Sequence, residues 1–311
     1  MSILGSGDNR LARFLPGFAA WFLFLVLLHG CGPKRTPVQN RPYEDLTTIV
    51  NEVILHRSDD IYRLPYPLDA EGKNLFSNAI VRLEAWARVH PKQCEDIVAY
   101  TQGLCHEKLG HLQVAADSYA RVPPGDADLP RLAPKRREVM LDLLERFRPP
   151  LHSEDPGGQA QLNEGAQARY DESVSKYRGT EWESLAKICA ENRAVEVVLE
   201  PRNRQSGEGE KAYRESIETL IVRFPESKRI QEHKLRLGIY YEEAAREWIT
   251  RAENGQTDAW ALAQKALDRA TEIYVRVSQA DGYPEKPEAA ARLDAVEALS
   301  RKVDRNAPRL P

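Results

Sequence analysis

Residues 100–122 read YTQGLCHEKLGHLQVAADSYARV, and their reading decides the fold. Two helical patterns meet at Gly110. Gly103, Gly110, Ala115 and Tyr119 have the spacing of a helix-turn-helix repeat rather than of an enzyme core. A small residue on the first helix lets the second approach, and a large one fills the space behind. The composition agrees. Apolar residues make up 42% of the 311 positions, enough for a core, and Ala, Leu, Glu and Arg favour helix. Few windows show the period-2 alternation that argues for a sheet. Charged residues reach 29% with a net charge of -3, which leaves no electrostatic footprint for nucleic acid and sets that partner class aside.

The same pattern recurs on both sides. Lys73 to His90 reads as a helix in which Ala79, Leu83, Trp86 and Pro91 are spaced by 4, 3 and 5 residues. On these residues and on the opening stretch the chain resembles the tetratricopeptide family. Ala79 to Pro91 follows that repeat's second helix and closing proline, with Trp86 larger than the usual Ala. Ala99, Gly103, Gly110, Leu112, Ala115, Tyr119 and Val122 match its small, turn and large positions, while Gln102 and His106 replace the customary Leu and Tyr. Phe224 to Ser227 (FPES) is similar to junctions in repeat-bearing envelope lipoproteins. Beyond it, Leu237, Gly238 and Tyr241 match the first helix, and Ala270 with Tyr274 the second. About twenty residues more than a repeat of about 34 allows separate Gly238 from Ala270, so two lengthened helices are expected to meet near Asn254 and Gly255. The resemblance implies an all-α fold, a right-handed TPR-like α-solenoid of about ten helices with degenerate and expanded repeats.

The remaining elements follow from periodicity. Leu46, Ile49, Val50, Val53 and Ile54 form a first helix, and the long loop Ile61 to Glu71 is expected to tuck Tyr62 and Tyr66 against the array. Pro130 to Phe147 is strongly amphipathic and ends at Pro149 and Pro150. His152 to Gly158 is the clearest internal break. Helices are expected over Gln159 to Tyr177, Thr180 to Glu200 and Glu210 to Phe224, with a solvated loop from Pro201 to Gly209. Glu288 to Val303 would be the capping helix that such arrays need. The segmentation is a leader over 1–30, a tether over 31–42, helical regions over 43–150 and 159–304, and a disordered tail over 305–311.

The leader carries an address. Arg10 and Arg13 precede an apolar run from Phe14 to Leu28, followed by His29, Gly30 and Cys31. This resembles a bacterial lipoprotein signal peptide, which implies cleavage before Cys31 and a diacylglycerol on its thiol. Gly32, where that family would place Asp to retain a protein at the inner membrane, implies the outer membrane facing the periplasm; an uncleaved inner-membrane anchor is the alternative. His29 departs from the family's preference for a small or β-branched residue. Three prolines between Gly32 and Pro42 suit a flexible tether.

Candidate chemistry is sparse. His106, Glu107 and His111 evoke a zinc protease motif, but five-residue spacing on one helix separates the histidines by about 140°, and Gly110 is expected to break that helix. No metal or other cofactor is expected. SGEGEK at Ser206 to Lys211 lacks phosphate-loop spacing, and no nucleophile elbow or dinucleotide fingerprint occurs. The chain therefore reads as a binding protein and not an enzyme. Partners are expected to be proteins of the cell envelope, with the membrane engaged through lipid at Cys31. Gln102, His106, Tyr240 and Tyr241 are the candidate groove residues on first helices. Arg131, Lys135, Arg136 and Arg137 form the densest basic cluster, which no neighbour on its own helix neutralises, and they are a second candidate surface for an acidic partner or anionic headgroups. Cys94, Cys105 and Cys189 are expected to be buried small apolar residues. Cys94 and Cys105, eleven residues apart, would sit about 16 Å apart on one helix, too far to bridge.

Overall fold

The computed structural model describes residues 42–150, 156–199 and 207–307. The leader, Cys31 and nearly all of the tether lie outside them. Among the described residues there are eleven α-helices and no strand. They are α1 (Pro42–Leu55), α2 (Leu75–Val89), α3 (Glu95–Lys108), α4 (Leu112–Ala120), α5 (Asp128–Arg146), α6 (Pro156–Tyr177), α7 (Glu183–Leu199), α8 (Gly207–Arg223), α9 (Ile230–Glu253), α10 (Ala259–Ser278) and α11 (Lys286–Asn306). From Leu46 onward the chain is one compact unit. From α2 onward each helix packs on the next, and α5 reaches back to α3 as α11 does to α9, the arrangement of an α-solenoid.

Local chemistry sets the helix ends. Asn74 caps α2, its side-chain oxygen accepting from the Ser77 amide at 3.1 Å. Gly110 turns α3 into α4 with φ +76°, and Gly255 turns α9 into α10 with φ +100° just after the C-cap Asn254. Only glycine enters that region without a Cβ penalty. The two lengthened helices thus meet where the sequence placed their junction. The last helix runs to Asn306, two residues into the stretch expected to be a disordered tail.

The same contact organises both well-formed pairs. An ideal Cβ on Gly103 would lie 2.5 Å from Cε1 of Tyr119, and one on Gly238 would lie 2.5 Å from Cε1 of Tyr274. Each glycine clears the space that its tyrosine ring fills. The buried apolar side chains form two clusters, from Leu46 to Phe224 and from Leu235 to Val303. The first cluster draws on residues before and after the break expected at His152 to Gly158, and α6 begins within that stretch, at Pro156.

Cys105 and Cys189 are buried, and burial pushes both thiols up to about 12. Cys94 departs from expectation: it is only half-buried, because it caps α3 in a left-handed conformation with φ 47° rather than lying on a helix face.

Candidate interaction surfaces

The glycine–tyrosine contacts belong to a polar network that occurs twice. Four residues beyond Gly103 lies Glu107, and four beyond Gly238 lies Glu242. Tyr119 Oη donates to Glu107 at 2.7 Å, and Tyr274 Oη donates to Glu242 at 2.8 Å. An arginine from the following helix completes each. Arg136 on α5 donates from Nη1 to both Glu107 oxygens at 2.8 and 3.0 Å, and Arg292 on α11 donates to Glu242 at 3.1 Å. Each carboxylate therefore ties three helices together. Burial acts to raise the Glu242 pKa, but hydrogen bonds from Arg246, Tyr274 and Arg292 outweigh it and hold the carboxyl below its ordinary value. The repeat was legible in Gly-x-x-x-Glu and in Tyr-x-Arg-Val at 119–122 and 274–277, a signal that helix-pattern matching alone passes over.

This network corrects the reading of the basic cluster. Arg136 is buried, and besides Glu107 it bonds Glu181 at 2.5 Å and the Tyr100 hydroxyl at 3.1 Å, with Trp182 facing its guanidinium. It is a structural cation and presents nothing to a partner. Arg131 pairs with Asp128, in the first turn of α5. The cluster is thus partly neutralised, by groups outside the i,i+4 positions considered in the sequence. Lys135 and Arg137 are exposed and form no ion pair among the described residues.

Gln102 is also buried; its Oε1 accepts from Arg121 Nη2 at 2.9 Å. His106 is half-buried and does not diverge from His111. The left-handed turn at Gly110 folds the chain back, so the two Nδ1 atoms approach to 3.4 Å. Burial, His111 and Arg121 lower the His106 pKa, in that order. Among the described residues no three metal-ligating side chains cluster. Tyr240 and Tyr241 are half-buried in a file of rings with Tyr213, at centroid separations of 6.1 and 5.4 Å. The Tyr241 hydroxyl faces Glu218 on α8 at 3.4 Å. The four candidate groove residues therefore sit at two places, on α3 and on α9.

As expected, the loop between α1 and α2 tucks Tyr62 and Tyr66 against the array, and its residues 59–66 form a strap. Ile61 and Tyr62 are buried. The Lys228 amide donates to the Tyr62 carbonyl at 2.8 Å, Ser184 Oγ donates to Asp60 at 2.7 Å, and Arg63 pairs with Glu226 at 2.6 Å. Lys108 Nζ at the end of α3 donates to the Asp59 carbonyl at 3.2 Å. The strap therefore covers the end of α3, the start of α7 and the link before α9 with the chain's own residues. Lys228 Nζ sits 3.4 Å from the Tyr66 ring centroid, buried and without a hydrogen-bond partner. Burial lowers its pKa to about 8, against the opposing attraction of Glu191. Beneath the strap Glu191 is buried, accepting from Ser227 Oγ at 2.7 Å and from His233 Nε2 at 2.7 Å.

Searches of family models, curated proteins and solved structures returned no match. Among the described residues no helix is long and apolar enough to cross a membrane.

Proposed function

We propose that the protein is a lipid-anchored TPR-like scaffold that holds protein partners in the bacterial cell envelope, in the service of outer-membrane protein or secretion and pilus assembly. The observation that carries this reading is how the buried ionisable groups are used. Glu107, Glu191, Glu242 and Arg136 are each spent on fastening one helix to another, which suits a protein that works through its surfaces and not by catalysis. The α-solenoid supports the same reading, because stacked helix pairs offer extended surfaces to a partner. The address rests on Arg10 to Cys31, with the lipid on Cys31. Several acyl chains, each buried CH₂ contributing about 0.8 kcal/mol, would make attachment effectively permanent.

Processing tests the anchor. Inhibiting lipoprotein signal peptidase should accumulate a heavier precursor in the membrane fraction, and Cys31→Ser should abolish the acylated form. A chain of unchanged size under inhibition would overturn the lipid assignment and favour an uncleaved inner-membrane anchor.

A further inference from the structure

A cleft of about 720 Å³ opens between the end of α2, the link at 90–94, the first turns of α3 and the end of α4. That is within the range of about 300–1,000 Å³ over which clefts take ligands. Ala87, Val98 and Ala99 give it apolar lining, and Arg88, Lys92 and Arg121 bring three cations. None of the three is in an ion pair among the described residues. Arg121 is the best organised: Nη2 donates to Gln102 Oε1 at 2.9 Å and to Ser118 Oγ at 3.1 Å. Both acceptors are buried and neutral, so they orient the guanidinium without cancelling its charge. With Nη2 engaged, its Nε–H and Nη1–H donors point to opposite sides, and each offers a single charge-assisted contact to a carboxylate oxygen. The rim is built as well. Lys92 and Cys94 have φ of 65° and 47°, a region that residues with a Cβ rarely adopt and that persists where the surroundings impose it.

Glu84 and Glu95 also line the cleft, and they decide which anion fits. A phosphate or an isolated carboxylate would meet them with repulsion alone. A peptide answers both signs: its acidic side chains accept from the arginines while its backbone N–H groups donate to the glutamates. The strap, in contrast, already fills its own part of the array with Tyr62 and Tyr66.

Resting on the scaffold reading above, we infer that this cleft is the docking site for an acidic segment of a protein partner, with Arg121 as its central contact. The test uses the mature protein in detergent and a fluorescein-labelled tetraglutamate peptide blocked at both ends, followed by anisotropy, with tetraglutamine as the control. The wild type should bind tetraglutamate saturably and less tightly as salt rises. Arg121→Gln should weaken binding about tenfold or more, the loss expected of one charge-assisted contact, with an unchanged thermal melt. Arg88→Gln should weaken it in the same direction. If Arg121→Gln alters the fold, the exposed Lys92→Gln decides in its place.

Equal binding of tetraglutamate by wild type and variants of unchanged melt, or equal binding of the two peptides, overturns the site. So does binding to phosphatidylglycerol vesicles with no peptide binding. Partner capture in native membranes that persists when the peptide fails overturns the cleft alone; loss of both overturns the scaffold reading.

Discussion

Adding one methyl group at Gly103 probes the contact on which the best-formed helix pair depends. A Cβ there would stand 2.5, 2.7 and 2.9 Å from three ring carbons of Tyr119, against about 3.5–4.0 Å for carbon atoms at optimal separation. The ring cannot retreat freely, because it is 2% exposed and its hydroxyl is tied to Glu107. Overpacking a filled core costs about 1–3 kcal/mol. Displacing the Tyr119 hydroxyl from a carboxylate costs a further ~1.5–3 kcal/mol. The better helix propensity of Ala returns about 1 kcal/mol. Gly103→Ala should therefore destabilise by about 1.5–5 kcal/mol, with Gly238→Ala behaving alike because its Cβ would meet Tyr274 in the same way. Gly165 supplies the control, since it lies within α6 and a Cβ there meets nothing within 4 Å. Gly165→Ala should stabilise by about 0.5–1 kcal/mol. Urea denaturation followed by circular dichroism reads all three variants. If Gly103→Ala proves as stable as the wild type, or gains as Gly165→Ala does, the interlock is not as described and the small-to-large argument fails.

Other expectations follow from the same structure. Arg136→Ala leaves Glu107 buried without its cation and should cost about 3–5 kcal/mol, whereas Lys135→Ala, one position away and exposed, should fall within about 0.5 kcal/mol of wild type in the same denaturation assay. Iodoacetamide on the native mature protein should label Cys94 and spare Cys105 and Cys189, as read by peptide mass spectrometry; rapid labelling of Cys105 would contradict its burial. Lys228 has a folded pKa of about 8, below its ordinary 10.5, so between these values the unfolded chain binds the extra proton and stability rises with pH. Lys228→Met should remove that rise between pH 8 and 10, and an identical pH slope in the variant would show that Lys228 does not titrate as described.

The fold was legible where its cause is local. Helical periodicity and small-to-large spacing located the pairs around Gly103 and Tyr119 and around Gly238 and Tyr274, and the Asn254–Gly255 dipeptide marked the turn between the long helices. What stayed hidden depends on residues far apart in the chain. Arg136 resembled a surface cation because the i,i+4 rule sees only its own helix, while its partners Glu107 and Glu181 come from elsewhere. The tucking of Tyr62 and Tyr66 was legible, but Asp60 to Tyr66 has no period to betray its polar contacts, which are made with Ser184, Glu226 and Lys228. The closeness of His106 and His111 was hidden too, because a separation of about 140° holds only along one straight helix. Gly110 broke that helix as expected, and its turn then brought the rings together.

Crosslinking the full-length chain in native membranes, followed by identification of the captured molecules, tests most directly whether this protein is an anchored scaffold. A discrete envelope membrane protein, captured by the wild type and lost with Cys31→Ser, is the result expected. Capture of glycan strands would point instead to a peptidoglycan-associated enzyme accessory. No capture at all would leave a structural spacer, and either outcome would contradict the scaffold.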